Sequence, residues 1–215
     1  MLKNIPLFAG LSEDDLKLVS DMAIEKSYPK NAVVITEGEQ GDSLFAVMSG
    51  RVKVFIGDED GREIILKMLG PGDVFGEMSV IDRQPRSASV STLESCVFRV
   101  LSHSSFEVCL ERAPRIAIGV MNALAKRLRD ADRKITTLAL MDVYGRVAHT
   151  LLELAVQSDG KLQVGQKLSQ QDIANMVGAS REMVNRILKD LSERGYITVE
   201  SKSITIHNER LPVSL

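Results

Sequence analysis

Residues 167–208, KLSQQDIANMVGASREMVNRILKDLSERGYITVESKSITIHN, decide the architecture. Ser169 stands before an apolar-periodic run with Asp172 three residues on. In that spacing a hydroxyl and a carboxylate cap each other's backbone N–H groups at the start of a helix. Gly178 breaks the run, as a residue without a Cβ does at a helix end. Ser180 caps a second helix, which Gly195 closes. Along it Val184, Ile187, Leu188 and Leu191 share one face. Ala174 in the first helix is small enough for the two helices to approach closely. Two short helices joined by a glycine turn make a helix-turn-helix. YITVES and SITIHN, alternating on either side of Ser201-Lys202, add a β-hairpin wing.

The opposite face of the second helix carries Arg181, Glu182, Asn185, Arg186 and Lys189, with Ser180 at its start. An arginine fork matches guanine O6 and N7 in the major groove, and a carboxylate accepts from cytosine N4. Residues near the start of such a helix are the ones that reach base edges. A solvated charged face is the alternative. Against DNA stands the charge of residues 142–215: nine Lys and Arg balance nine Asp and Glu. Attraction to phosphate is then weak unless Arg181, Arg186 and Lys189 cluster on one side.

Upstream, GRVAHTLLELA is an amphipathic helix, and about 115 to 141 a long one. Met121, Leu124, Leu128, Ala131, Ile135 and Leu138 alternate in steps of three and four. This is a heptad seam along about 40 Å of helix at 1.5 Å per residue. AKRLRDADRK is too polar for a helix buried all round, so the seam is expected to pair two copies about a two-fold axis. Packing on its own domain is the alternative. Before Pro114 the texture changes: eight of fifteen glycines lie between Gly38 and Gly76. They separate SLFAVMSG, RVKVFIG and REIILKMLG, with SCVFRVL further on. Short β-branched and aromatic runs at this spacing predict an antiparallel β-roll or barrel. LSEDDLKLVSDMA ahead of them predicts a helix capped by Ser12 with Asp15. The expected fold is α+β: a β-roll over 1–112, a dimerisation helix over 113–141 and a winged helix-turn-helix over 142–215.

Composition agrees with a soluble globular chain: 215 residues, 44% hydrophobic, formal charge −2. The first residues hold no apolar run of signal-peptide length, and no segment approaches the roughly 18 apolar residues of a membrane span. Cys96 and Cys109 are too few for a disulfide framework or a four-ligand metal site, which is consistent with a reducing cytoplasm.

Residues 75–89, FGEMSVIDRQPRSAS, hold the chemistry of the β-rich part. Gly76 lets a backbone approach a ligand closely, and EMSV can form a helical turn with its amides toward an anion. Arg86 offers a planar fork to a phosphate. Glu77 only accepts, so it would take a hydroxyl, such as a sugar's, rather than the phosphate. A ligand with one phosphate, a ribose and a base fits this set. A plain Arg86–Glu77 ion pair stabilising a loop is the alternative.

With these motifs the chain resembles the cyclic-AMP receptor (catabolite activator) branch of the CRP/FNR transcription regulators along essentially its whole length. FGEM…PRSA looks like that family's phosphate-binding cassette, MDVYGRVAHTLLELA like its hinge and following helix, and GASREMVNRILKDL like its recognition helix. The resemblance implies that Arg86 and Ser87 take the cyclic phosphate and Glu77 the ribose 2′-hydroxyl. Gly76 and Ala88 would add backbone contacts, and Met78 falls in the same turn. It implies that Arg181, Glu182 and Arg186 read TGTGA-like half-sites of a palindrome. The implied partners are double-stranded DNA, a second copy of the chain and RNA polymerase, in a bacterial cytoplasm and without a membrane. The implied effector is a cyclic nucleotide, with no metal, haem or iron–sulfur cluster. Cluster-bearing relatives need several cysteines near the N-terminus. Haem-sensing relatives need a histidine ligand, and His103, the only one of three near the sensor, is expected at the surface.

The sequence departs from the family in one place. Where the cyclic-AMP receptor offers two neighbouring hydroxyl residues to the adenine amino group, this chain has Ala131 and Asp132. The alanine offers no hydrogen bond. Guanine presents two donors to a carboxylate, N1–H and its 2-amino group, and Ser87 could meet that amino group if the base is syn. Cyclic AMP is the expected effector, with cGMP or cyclic di-GMP as the alternative. Asp132 paired with Arg129 or Arg133 is a further reading. The expected mechanism is a shift between two arrangements of one dimer, with nucleotide bound between β-roll and long helix. Binding would set the angle at Met141-Asp142 and place the recognition helices about 34 Å apart. Two rivals remain: a regulatory subunit acting on a protein partner, and a nucleotide hydrolase using Glu77 as base. The second lacks the His/Asp cluster that metal-assisted hydrolysis needs.

Overall fold

The computed structural model describes residues 5, 8, 11–158, 160–164, 168–200, 203–207 and 211–212. The chain divides into two compact units, Met1–Arg129 and Asp130–Leu215.

The first unit opens with α1 (Glu13–Met22), where Ser12 and Asp15 form the expected reciprocal cap. Its strands are β1 (Ile24–Tyr28), β2 (Val33–Ile35), β3 (Ser43–Ser49), β4 (Val52–Gly57), β5 (Glu63–Leu69), β6 (Val74–Phe75), β7 (Ser89–Thr92) and β8 (Cys96–Ser102). They form two four-stranded antiparallel sheets, β1-β8-β3-β6 and β2-β7-β4-β5. Val47, Val52, Leu69, Phe75, Val90 and Phe98 from both sheets form one core. Phe45 stacks on Phe75 at 5.0 Å, and Phe98 stands edge-on to both. Between β6 and β7 lies α2 (Glu77–Asp82); α3 (His103–Arg112) and α4 (Arg115–Leu140) follow β8. A second core joins Val19, Leu44, Val80, Leu101, Phe106 and Ile116. Phe75 is anchored in the first core and Val80 in the second, so Gly76 and Glu77 are held from both sides.

The second unit takes the last turns of α4 together with α5 (Val143–Glu153), β9 (Ala155–Ser158), β10 (Lys161–Val164), α6 (Gln170–Val177), α7 (Arg181–Glu193), β11 (Ile197–Glu200) and β12 (Ser203–Ile206). Asp142 caps α5 by accepting from the Gly145 N–H at 2.7 Å, so the helical path breaks at Met141-Asp142. The wing is present as β11 and β12, although Ser201-Lys202 lie outside the described residues. It is half of a larger sheet, β11-β12-β10-β9, whose other hairpin the sequence does not announce. No helix among the described residues is long and apolar enough to cross a membrane.

Two polar ties fasten this unit. The Lys134 ammonium on α4 donates to the Met176 carbonyl at the end of α6, at 2.6 Å. Burial pulls Lys134 below the usual lysine range, against the pull of Glu153. On α5 the buried Tyr144 hydroxyl donates to Asp190 of α7 at 2.8 Å. Burial and then that hydrogen bond raise Tyr144 to about 12. Above the ordinary value of 10, an unfolded chain releases this proton while the folded chain keeps it. Stability therefore falls as pH rises from 10 to about 12. Tyr144→Phe is expected to remove this part of the slope and to cost about 1 kcal/mol at neutral pH. Urea midpoints for both proteins at pH about 8 and about 11 check this, and equal slopes would refute it.

Candidate functional site

Gly76 turns the chain from β6 into α2 at φ 77°. A Cβ there would stand 2.8 Å from Arg86 Nη1 and 3.0 Å from the Ser43 carbonyl oxygen, so both backbone angle and space select glycine. Arg86 is 7% exposed. Its backbone is fixed on both sides: its N–H donates to the Glu39 carbonyl at 2.9 Å, and its carbonyl accepts from Gly38 N–H at 2.8 Å. Its guanidinium donates to the carbonyls of Gly76 at 2.7 Å and Ser43 at 2.8 Å. It also lies against Gly41, where a Cβ would meet Nε at 1.9 Å. Burial lowers Arg86 from the usual arginine value, while Asp42 and Glu77 act in the opposite direction. Two neutral carbonyls engage two of the five N–H donors of an arginine, which leaves part of the fork for an anion.

The Arg86–Glu77 ion pair does not form. Glu77, 4% exposed, pairs instead with Arg127 of α4, whose other nitrogen donates to the Val74 carbonyl. That pairing uses Oε1; Oε2 is buried and has no hydrogen-bond partner among the described residues. A buried acceptor without a donor costs about 1–3 kcal/mol, so this oxygen suits a hydroxyl donor. Ser87 is exposed, with its hydroxyl 3.7 Å from the sulfur of Met78, which is also exposed. Ala88 is half-buried beside them in the chain. His103 lies half-buried at the surface, where it accepts from Arg83 Nε at 3.1 Å and its Nδ1 lies 3.3 Å from Glu107.

Arg127 is not among the residues the sequence singles out. The available signal was helical spacing. Val120 is buried and Ala123 and Leu124 pack on the same core, so seven, four and three residues later Arg127 continues the face turned to its own domain. Leu124 accordingly leaves the heptad seam for that core. Met121, Leu128, Ile135 and Leu138 remain exposed, and Ile118 extends the stripe one turn back. Ala131 and Asp132 are exposed on α4. Arg133 pairs with Asp130 rather than Asp132. Among the described residues the Asp132 carboxylate makes no hydrogen bond or ion pair, and its backbone carbonyl accepts from the Thr136 hydroxyl.

In the helix-turn-helix, Ser169 and Asp172 cap α6 reciprocally, Gly178 turns at φ 65°, and the Ser180 hydroxyl accepts from Met183 N–H at the start of α7. Val184, Ile187, Leu188 and Leu191 are buried, whereas Arg181, Glu182, Asn185, Arg186 and Lys189 are all exposed. Lys189 lies 3.7 Å from Glu193, and Asn185 is bonded to Gln170 of α6. The face therefore carries two arginines and a carboxylate within its first two turns.

A family model for the cyclic nucleotide-binding domain matches residues 25–113, and one for the Crp-like helix-turn-helix domain matches residues 145–211. A ligand-binding β-roll joined to such a reader defines a ligand-responsive, DNA-binding transcription regulator. The CRP-like cAMP-activated global transcriptional regulator of Mycobacterium tuberculosis is 36% identical over 216 residues, covering 98% of this chain and 96% of that protein. The cAMP-activated global transcriptional regulator CRP of Salmonella typhimurium is 36% identical over 189 residues, covering 85% and 89%. The solved structure of the c-di-GMP responsive global regulator CLP of Xanthomonas campestris matches with a TM-score of 0.81 at 28% identity, covering 92% of this chain and all of that one. The chain belongs to the CRP/FNR family of transcription regulators and is a cyclic-nucleotide-responsive member of it.

Proposed function

We propose that the effector is cyclic AMP, held by Arg86 and Ser87 at its phosphate and by Glu77 at its ribose. The observation that carries a cyclic nucleotide at this site is the pair of buried charges. Arg86 is a cation bonded to neutral carbonyls, and Glu77 keeps one carboxylate oxygen without a donor. A cyclic phosphate and a ribose hydroxyl supply the two missing partners, with Gly76 and Ala88 giving backbone contacts and Met78 lining the same turn. The M. tuberculosis and S. typhimurium relatives are named as cAMP-activated. A guanine nucleotide is the second reading, favoured by the exposed Asp132 carboxylate beside Ala131, which suits two guanine donors.

The active form in this proposal is a cytoplasmic homodimer joined along Met121, Leu128, Ile135 and Leu138, a stripe at heptad spacing that the single chain leaves exposed. Nucleotide binding favours one of two arrangements, differing at Met141-Asp142, in which Arg181, Glu182 and Arg186 meet TGTGA-like half-sites. Ser180 fixes the start of that helix and Lys189 supplies charge further along. RNA polymerase is the protein partner.

Calorimetry with cAMP, cGMP and cyclic di-GMP tests the effector. Tighter binding of cAMP supports the first reading, and tighter binding of a guanine nucleotide replaces it with the second. A gel-shift series on a TGTGA palindrome tests the reader. Arg186→Ala is expected to cost about 1–3 kcal/mol on the matched half-site and to relax the choice of one base. Equal weakening on every sequence would make Arg186 a phosphate contact instead.

A further inference from the structure

α4 stops at Met141-Asp142, where the Asp142 cap starts α5 as a separate helix. Beyond that break α5, α6 and α7 pack into one body, with Tyr144 of α5 bonded to Asp190 of α7 at 2.8 Å. Lys134 stands before the break, on α4, yet its ammonium reaches the Met176 carbonyl at the end of α6 at 2.6 Å. It thereby joins α4 to the body on the far side of the hinge. The direction of this bond is fixed, because an ammonium only donates and a carbonyl only accepts. Met176 is among the last four residues of α6, whose carbonyls have no partner inside the helix, and a cation there also meets the negative end of the helix dipole. Burial opposes the Lys134 charge, Glu153 favours it and Arg146 of α5 opposes it. Arg146 belongs to the same turn, since a Cβ on Gly178 would stand 3.7 Å from its Nη1. The net gain from the bond is therefore modest, as a contact that opens and closes requires. With Lys134 about 10 Å along α4 from the break, a hinge rotation of about 30° moves its acceptor by about 5 Å, beyond hydrogen-bond reach.

We infer that Lys134 latches the helix-turn-helix to α4 across the Met141-Asp142 hinge, and is the positioning residue that sets the spacing of the two recognition helices. The inference rests on the proposed dimer along α4 and its palindromic site. In the latched chain Arg181, Glu182, Asn185, Arg186 and Lys189 are all exposed, so this arrangement leaves the reading face open to DNA. Ile135 and Leu138 on α4 stay exposed as well, so the latch does not use the stripe meant for the second copy. One bond in each copy then fixes the angle between reader and dimer helix, and with it the distance between the two readers. With the latch open, each reader still fits its half-site, but the pair falls out of register with the DNA turn.

The test is gel-shift affinity on a single TGTGA-like half-site and on palindromes with a series of half-site spacings, at saturating cAMP with cGMP and cyclic di-GMP in parallel. The wild-type protein is expected to bind one spacing tightest. Lys134→Met, close to lysine in length but without a donor, should lose about tenfold on that spacing, the low end for a hydrogen bond to a charged group, and bind the neighbouring spacings nearly as well. Its affinity for the single half-site should stay at the wild-type value, which a damaged reader would not preserve. Should Lys134→Met fail to fold by circular dichroism, Lys134→Gln carries the comparison, because its amide nitrogen stops one atom short of the ammonium. A gain in DNA affinity, or an equal loss on half-site and palindrome, overturns the latch. A wild-type spacing preference that survives in the variant overturns the latch alone. A wild-type protein that binds every spacing alike overturns the palindromic reading, and the latch with it.

Discussion

Arg86→Leu is expected to weaken cyclic-nucleotide binding by about 1.5–3 kcal/mol, one to two orders of magnitude, while folding stability changes by less than about 1 kcal/mol. The two numbers differ for a physical reason. In the folded chain the guanidinium gives two hydrogen bonds to neutral carbonyls, and burial opposes its charge. Two modest net gains are set against the cost of desolvating a cation, so its removal comes close to balance. Toward a phosphate there is no such balance. The charge is already desolvated and its backbone already fixed by Gly38 and Glu39, so the ligand need not order it. Calorimetry gives the first number and urea unfolding the second. A large loss of stability with unchanged affinity would make Arg86 a structural residue.

The elements written locally were legible in the sequence. Ser12 with Asp15, Ser169 with Asp172, Ser180 and Gly178 act within three or four residues of themselves, and each caps or turns the helix it was assigned to. The long helix was legible because its apolar residues repeat over several turns. What escaped was set by tertiary packing. Glu77 has two arginines of suitable chemistry, one nine residues away and one fifty residues away, and only the packing of α4 selects the distant one. Leu124 and Leu128 both fit a heptad, yet one serves the domain core and the other the exposed stripe. The hairpin of β9 and β10 is built from AVQS and KLQV, four residues each, too short for alternation to show. Nothing in the spacing announces that Gln170 of α6 bonds Asn185 of α7.

Arg127→Met is expected to cost about 3 kcal/mol of stability. That is the low end for breaking a buried pair, because Arg127 itself is about one-third exposed whereas Glu77 is almost wholly inside. The Glu77 carboxylate would then keep neither its charged partner on Oε1 nor a donor on Oε2. Adding Glu77→Gln to Arg127→Met removes the stranded charge and should recover a large part of the loss, a non-additivity expected of residues in contact. Urea unfolding of the two single variants and the double closes this cycle, and additive costs would show that the pair is not coupled. The pairing also has a consequence for signalling. In the proposed site a ligand hydroxyl on Oε2 would act on a carboxylate whose other oxygen is bound to α4, which would link ligand strength and helix position through one side chain. A ligand shifts an equilibrium only by its differential affinity for the two states. Glu77 is where such a difference can arise, because its bond to Arg127 depends on where α4 lies. In a variant that still folds, Arg127→Met is therefore expected to bind nucleotide with little change in DNA affinity. A full nucleotide-dependent gain in DNA affinity would place the coupling elsewhere.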